Sequence, residues 1–575
     1  MLAVWLLALP VFCLQAGVAQ NVPESRNSAS EARSLADEAV KKARDGKTEE
    51  ALAQFRQALH LAPNSVPILR DYAIVLGWGE HYKEAIAVIR QVTRLEHEQP
   101  DWALREFARS YLFGDENAAA LQVLDQLVAH GDTSEPVLMR RGLALRWLGR
   151  PKEAQAAYEV ALSIHPKSGA ARAGIVYCLG NQNKLSEALR AANSGLEAVP
   201  GDPELLKAKI RILNWMGRHL EAQQVLDRLP VSLAKDREIL EDRVSAARWG
   251  GDPVTAQRTS HRLNSEFPNN NAARKVDEQL QREYGLGTSS GYRYVSDSDG
   301  FIDRTWSGEA AVHLTPAQEL RVGYMHRQFL QTDSLLWQRY DLGWSGVLSR
   351  RLQAYATLAD VNYYLDSGVT HKIIGDAALS LLGSDRVRFT AGGGTIAMDA
   401  FVAVQNRVTA PFGFGDMILT PNHLTRIETR YTHFTFSDGV SRDRVDLEGL
   451  RQVYSHGSFK LRLAGRSNLM WHDHYTPDFY SPASFQSHLL VAQAEGRLTR
   501  LLSYWMEAGG GWQKEPGTPW QNPLQLSGKL VWRPTEGLRA LIEVGRTTSS
   551  LERVVADRTP YSRRYASIGL EYRFR

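Results

Sequence analysis

The chain ends in Tyr565-Ala566-Ser567-Ile568-Gly569-Leu570-Glu571-Tyr572-Arg573-Phe574-Arg575. Ala566, Ile568, Leu570, Tyr572 and Phe574 alternate with Tyr565, Ser567, Gly569, Glu571 and Arg573. A period of two sends the two sets to opposite faces of a strand. The alternation recurs upstream to about Gly287, with polar and charged residues on the second face. Two architectures use such strands. A soluble sandwich buries one face and wets the other. A membrane barrel turns the apolar face to lipid and the polar face to a lumen.

The readable strands are approximately 288–298, 302–314, 319–329, 335–348, 352–364, 372–382, 387–395, 422–436, 442–453, 459–471, 487–498, 502–514, 523–533, 538–548 and 562–574, which makes 15. The stretch 396–421 holds Ala400-Phe401-Val402-Ala403-Val404, which reads as a sixteenth strand or as a loop helix. Bacterial barrels prefer even numbers, so 16 strands are favoured and 14 is the alternative. Many of these segments are about ten residues long, enough for a tilted strand to cross a bilayer. Thr315-Pro316-Ala317-Gln318, Ser349-Arg350-Arg351, Ser384-Asp385-Arg386 and Thr535-Glu536-Gly537 read as short turns; 396–421, 472–486 and 549–561 read as long loops. Trp306, Trp337, Trp344, Trp471, Trp505, Trp512, Trp520 and Trp532 gather near strand ends, as an interfacial girdle requires. The last strand departs from barrels in which the aromatic itself closes the chain, because Arg575 follows Phe574.

The other end of the chain favours the barrel over the sandwich. Residues 2–14 form an apolar run of signal-peptide length, too short to span a bilayer, and Gly17-Val18-Ala19 offers small residues for cleavage before Gln20. We therefore expect a signal peptide at 1–19 and a flexible segment at 20–33. Cys13 leaves with the signal, so Cys178 is the only mature cysteine and no internal disulfide is expected. The net charge of +4 over 575 residues gives no nucleic-acid footprint.

Between 34 and 268 the sequence repeats. The first small residue of the second helix recurs at Ala51, Ala85, Ala120, Ala154, Ala188, Ala222 and Ala256, in steps of 34 or 35. One repeat reads Gly46, Ala51, Phe55, Ala58, Pro63; another reads Gly142, Gly149, Ala154, Tyr158, Ala161, Pro166. Alanine lets two helices approach, the aromatic fills the groove beyond, glycine permits the turn and proline stops the helix. Glu80, Asp115 and Asn183 replace the turn glycine in three repeats. This pattern resembles the tetratricopeptide repeat, about seven times over. The resemblance implies a superhelix whose groove binds peptides or periplasmic proteins. A spacer without a ligand is the alternative. A capping helix from Ala272 to Tyr284, N-capped within Asn269-Asn270-Asn271, and a linker complete residues 269–286, and the barrel is placed at 287–575.

In the clearest strands, charged residues share one face: Arg426, Glu428 and Arg430; Arg444, Asp446 and Glu448; Lys460, Arg462 and Arg466; Arg539 and Glu543; Glu571 and Arg573. A Lys or Arg facing lipid at the midplane costs about 2–4 kcal/mol, so these residues are expected to line the lumen. Both signs crowd there, and mutual pairing suits a polar polymer better than a highly charged solute. A purely structural role for these charges is the alternative.

A signal, a periplasmic repeat array and a C-terminal barrel together resemble the exopolysaccharide export porins, of poly-N-acetylglucosamine first and cellulose next. Phe436-Ser437-Asp438-Gly439 and Phe479-Tyr480-Ser481-Pro482 are local echoes. The resemblance implies a channel in the bacterial outer membrane, in contact with its lipid, with a polysaccharide chain in the barrel. The repeats would recruit partners or guide the polymer. The alternative is a non-conducting scaffold whose barrel is an anchor. No enzyme motif, cofactor, metal site or nucleic-acid site is expected. His472-Asp473-His474 lacks an evident third ligand and reads as an exposed polar loop, and the Gly392-Gly393-Gly394 and Gly509-Gly510-Gly511 runs read as curvature or room within strands.

Overall fold

The computed structural model describes residues 26–268, 270–331, 333–553 and 561–574. The expected signal peptide lies outside the described residues. Among them, helices from Arg26–Arg44 to Asn271–Glu283 precede a strand region that begins at Gly287. Two compact units result, one up to Leu205 and one from Leu206 onward. The unit boundary thus falls inside the repeats, well before the switch from helix to strand.

Within the first unit, each repeat is a helix pair closed by a turn. Ala51, Ala85, Ala120, Ala154 and Ala188 are wholly buried, one on the second helix of each pair. The turn residues adopt a left-handed backbone throughout: φ is +81° at Gly46 and +72° at Gly149, and also 63° at Glu80, 68° at Asp115 and 60° at Asn183. The turn therefore persists without its glycine, at a local cost of about 1–2 kcal/mol for a non-glycine residue. Phe55, Ala58, Tyr158 and Ala161 are buried in the same grooves, and Pro63 and Pro166 follow the ends of helices Thr48–Leu61 and Pro151–Ile164. The core runs on from repeat to repeat, from Leu69 to Cys178 in one cluster. Burial pushes the Cys178 thiol up to about 11, which keeps it protonated and inert. The first helix begins at Arg26, so residues 26–33 belong to the array rather than to a flexible segment. Its stripe of Ala32, Ala36, Ala39 and Ala43 packs on Leu52 and Phe55, an apolar face that its polar neighbours hide.

The second unit holds the last helices and the barrel. Its sixteen strands are β1 Gly287–Asp297, β2 Ile302–Thr315, β3 Gln318–Leu330, β4 Ser334–Ser349, β5 Leu352–Leu365, β6 Gly368–Ser384, β7 Val387–Ala397, β8 Thr409–Asn422, β9 Thr425–Thr435, β10 Ser441–His456, β11 Phe459–His472, β12 Ser484–Arg497, β13 Leu502–Lys514, β14 Leu524–Trp532, β15 Leu538–Thr547 and β16 Arg563–Arg573. Each pairs antiparallel with its sequence neighbours, and β1 pairs with β16 to close the barrel. Phe401–Gln405 is a loop helix, and the sixteenth strand is β8, which follows it. Register shifts at His313/Thr315, Val347/Ser349, Leu382/Ser384, Leu419/Asn422 and Gln452/Tyr454 all fall beside short turns, where bulges trim a barrel rim.

Those short turns receive the last helices. The Asp385 carboxylate, in the β6–β7 turn, accepts the backbone N–H groups of Leu220 (2.8 Å) and Glu221 (3.0 Å). It caps helix His219–Asp227, whose own N-cap residue, Arg218, makes no side-chain cap. Burial holds the His219 imidazole below its ordinary range, with Asp385 working against that shift. Arg350, in the β4–β5 turn, donates to Asp227 at 2.6 Å and to Asp252 at 2.8 Å. Arg282 pairs with Glu536 of the β14–β15 turn. The cap helix Asn271–Glu283 starts where Asn270 accepts from Ala272 and Ala273.

Burial pushes the Asp227 carboxyl up, but hydrogen bonds from Arg350 and Arg243 outweigh it and hold the group below its ordinary range. A carboxylate held low lends stability that is full above its unfolded value, about 4. That stability is lost as pH falls through the lowered folded value. Arg350→Ala is therefore expected to reduce amide protection in helix His219–Asp227 at neutral pH, and the difference from wild type is expected to shrink in acid. Hydrogen exchange read by mass spectrometry checks this; equal protection of both proteins at pH 7 would sink the docking contact.

Candidate functional site: the inner face of the barrel

The continuous register fixes which side chains share a face. Following the pairs from β8 round to β1, the even residues of β8 to β11 lie with the odd residues of β12 to β16. All thirteen charged residues singled out by alternation fall on that one face: Arg426, Glu428, Arg430, Arg444, Asp446, Glu448, Lys460, Arg462, Arg466, Arg539, Glu543, Glu571 and Arg573. The other face is apolar and open, with Val322, Leu342, Leu358, Ile373, Leu490, Ile542 and Ile568 all more than half exposed. A closed barrel with that exterior presents a hydrocarbon-compatible band outside and a polar wall inside.

The wall is largely paired. Arg426 meets Glu428 at 2.5 Å, Arg444 meets Asp446 at 2.9 Å and Arg539 meets Glu571 at 2.9 Å. Arg462 grips Glu495 through two nitrogens at 2.9 and 2.8 Å, and Lys460 reaches the same carboxylate at 3.4 Å. Lys529 pairs with Glu543 at 2.9 Å. Arg430 lies 4.0 Å from Asp416, and the Arg573 guanidinium donates to the Glu283 carbonyl at 3.5 Å. The tightest knot is Arg466, which donates to Glu448 (2.6 Å) and to both oxygens of Glu507 (2.8 and 2.9 Å). Glu507 also accepts from Gln493 and Gln525, so one buried carboxylate ties β11 through β14 together.

Asp416, Gln493, Glu495, Glu507 and Lys529 complete this wall but carry no clear signal in the sequence. Leu489-Leu490-Val491 makes β12 apolar on both faces; Leu489 and Val491 are buried and Leu490 is 66% exposed. Trp337 and Trp505 stand apart from the girdle, because the register turns both to the inner face. Trp306, Trp344, Trp471, Trp512 and Trp532 keep outer-face positions, and Trp520 lies exposed in the β13–β14 connection.

The inner face changes character toward the long-loop end. Phe329, Leu335, Trp337, Val361, Tyr363 and Ile374 form an apolar patch, and Phe401 and Val404 of the loop helix close over it. Beside it, Arg442 lies against the rings of Phe434, Phe436 and Phe479 at 5.8, 4.9 and 5.2 Å and donates to His472 at 2.7 Å. His472 is therefore not on an exposed loop. It is buried at the end of β11, with its other ring nitrogen 2.8 Å from the Pro482 carbonyl. Arg553 and Asp299 form a buried ion pair at 2.9 Å in the same region. Arg442, Phe479 and Arg553, with Arg327, Asp399 and Arg444, line a polar cavity of about 190 Å³.

Close approach of neighbouring strands explains the glycine runs, Gly510 excepted. A Cβ at Gly511 would lie 1.8 Å from the His488 carbonyl oxygen, and one at Gly394 would lie 2.2 Å from that of Gly375. Only glycine fits where neighbouring strands approach this closely.

The tetratricopeptide repeat family model matches residues 42–106 and 148–210. No curated protein matches the chain. Similar solved structures include a bacterial polysaccharide outer membrane secretin, 15% identical, which covers 51% of this chain and 99% of its own with a TM-score of 0.44. A tetratricopeptide repeat protein from Parabacteroides merdae is 16% identical over 44% of this chain and 99% of its own, TM-score 0.38. MamA from Desulfovibrio magneticus is 19% identical over 31% of this chain and 98% of its own, TM-score 0.28.

Proposed function

We propose that this chain is a non-enzymatic outer-membrane channel that exports an extracellular polysaccharide. In this reading the mature chain follows a signal at 1–19, and the repeats at 34–268 face the periplasm, where they recruit partner proteins or guide the polymer. The barrel at 287–575 conducts it, and the thirteen charged residues line its lumen. The observation that carries the reading is the inner wall of paired charges. A single-sign lining would select ions by charge. A wall of opposed, hydrogen-bonding pairs offers donors and acceptors with little net field, which suits a hydroxylated polymer.

The loop helix favours the second reading, an anchor with a scaffold, because it lies on the inner face at the long-loop end. Conductance separates the two. In planar bilayers the wild-type barrel is expected to show a small, noisy conductance. A variant in which a short Gly-Ser link replaces 399–407 is expected to conduct several times more. A correctly folded variant that still carries no current would favour the anchor.

A further inference from the structure

Three partly buried phenylalanines stand on the inner face beside the charge network and the loop helix. Phe412 and Phe414 lie on β8 and Phe434 on β9, with Phe412 opposite Phe434 and Phe414 opposite Thr432 in the register. The Phe412 and Phe414 rings are nearly parallel, 17° apart with centroids at 6.2 Å, and Phe412 and Phe434 are 5.8 Å apart. The row continues through Phe436, 5.9 Å from Phe434, to Phe479, 4.4 Å further, both buried beneath the loops. The three rings line a cavity of about 380 Å³ shared with Tyr355, Arg430, Thr432, Arg444 and Asp446. The Arg430 guanidinium lies 4.7 Å from the centre of the Phe414 ring.

We infer that Phe412, Phe414 and Phe434 form a binding platform on which successive pyranose rings of a glycan stack as the chain passes. The inference rests on the export reading and adds a subsite to it. Exposed aromatic area inside a polar wall is unfavourable in water. Phe436 and Phe479 escape that cost by burial, whereas these three rings keep part of it. A pyranose has a C–H face that covers an aromatic ring and a rim of hydroxyls. The Arg430 guanidinium lies over the Phe414 ring, and Thr432 and the Arg444–Asp446 pair line the same cavity, where such a rim needs partners. An acyl chain would have no use for those polar groups, and an inorganic ion would have none for the rings. Ring spacing near 6 Å, repeated along the row, lets a chain move from one stack to the next without leaving the wall.

Calorimetric titration of the full chain in detergent, with cellohexaose and chitohexaose as probes, tests the platform. Wild type is expected to bind at least one probe. Phe412→Ala and Phe414→Ala are each expected to weaken binding about tenfold, and Phe414→Leu nearly as much, since it keeps apolar area but loses the ring face. Phe389→Ala, on the outer face of β7, should bind as wild type does. Heat-modifiable gel mobility reports folding of each variant. Unchanged binding in the two inner-face alanine variants overturns the platform, and so does a wild type that binds neither probe. Polymer distribution in a deletion strain is read separately. Polymer retained inside with no probe binding defeats the platform and leaves export standing; unaltered polymer defeats export itself.

Discussion

Replacing Glu507 by leucine is expected to destabilise the barrel by about 3–5 kcal/mol, the cost of stranding a buried partner. Glu507 is 4% exposed and accepts four hydrogen bonds, two from Arg466 and one each from Gln493 and Gln525. Without its carboxylate, Arg466 retains only Glu448 at 2.6 Å. The two glutamine amides lose an acceptor at the same time. Removing both charges tests the cause: Arg466→Met with Glu507→Leu is expected to recover most of the loss, because well-packed apolar groups replace a buried pair at little net cost. Urea unfolding of vesicle-embedded protein, followed by gel mobility, gives the numbers. A single variant within 1 kcal/mol of wild type would show that the knot contributes little.

The second large effect lies in the repeats. Tyr158→Ala is expected to cost the array about 3–5 kcal/mol, the range for emptying a buried aromatic site. Tyr158 is 2% exposed. A Cβ built on Gly142 or Gly174 would come within 2.5 or 2.7 Å of its ring, so the ring is held between two glycines on the flanking helices. Those helices, Glu135–Trp147 and Gly169–Asn181, cannot close the gap without breaking their own contacts. Neighbouring repeats stabilise one another, so the loss is expected to spread to adjacent pairs but not through the whole array. Amide exchange across 135–181 checks it. Protection unchanged there, with exchange altered elsewhere, would contradict the packing account.

Much of this was legible because period is a strong signal. Seven alanines at a step of 34 or 35 give the helix pairs, and the left-handed turn survives at Glu80, Asp115 and Asn183, where the residue type alone would not reveal it. Alternation likewise gathers thirteen charges onto one face, since a strand cannot turn Arg426 inward and Glu428 outward. What escaped has physical reasons. Strand β8 carries Pro411, Gly413 and Gly415 on its outer face, so it lacks the apolar alternation that marks its neighbours. Phe412 and Phe414 were hidden with it. Trp337 and Trp505 look like girdle residues by type, and only the register shows that they point inward. The helix Arg26–Arg44 begins in a polar stretch whose buried alanines weigh little in composition. Pairing across strands, such as Arg466 with Glu507, joins residues 41 apart and is set by register rather than by local pattern.

The central claim, polymer export through the barrel, is tested most directly by extracellular and periplasmic polysaccharide in a strain lacking the chain. The complementing forms are the full chain and residues 286–575 behind a signal. Polymer retained in the periplasm, released again by the full chain, is the expected result, and the truncated form then shows whether the repeats are needed for release. Extracellular polymer unchanged by the deletion would contradict export.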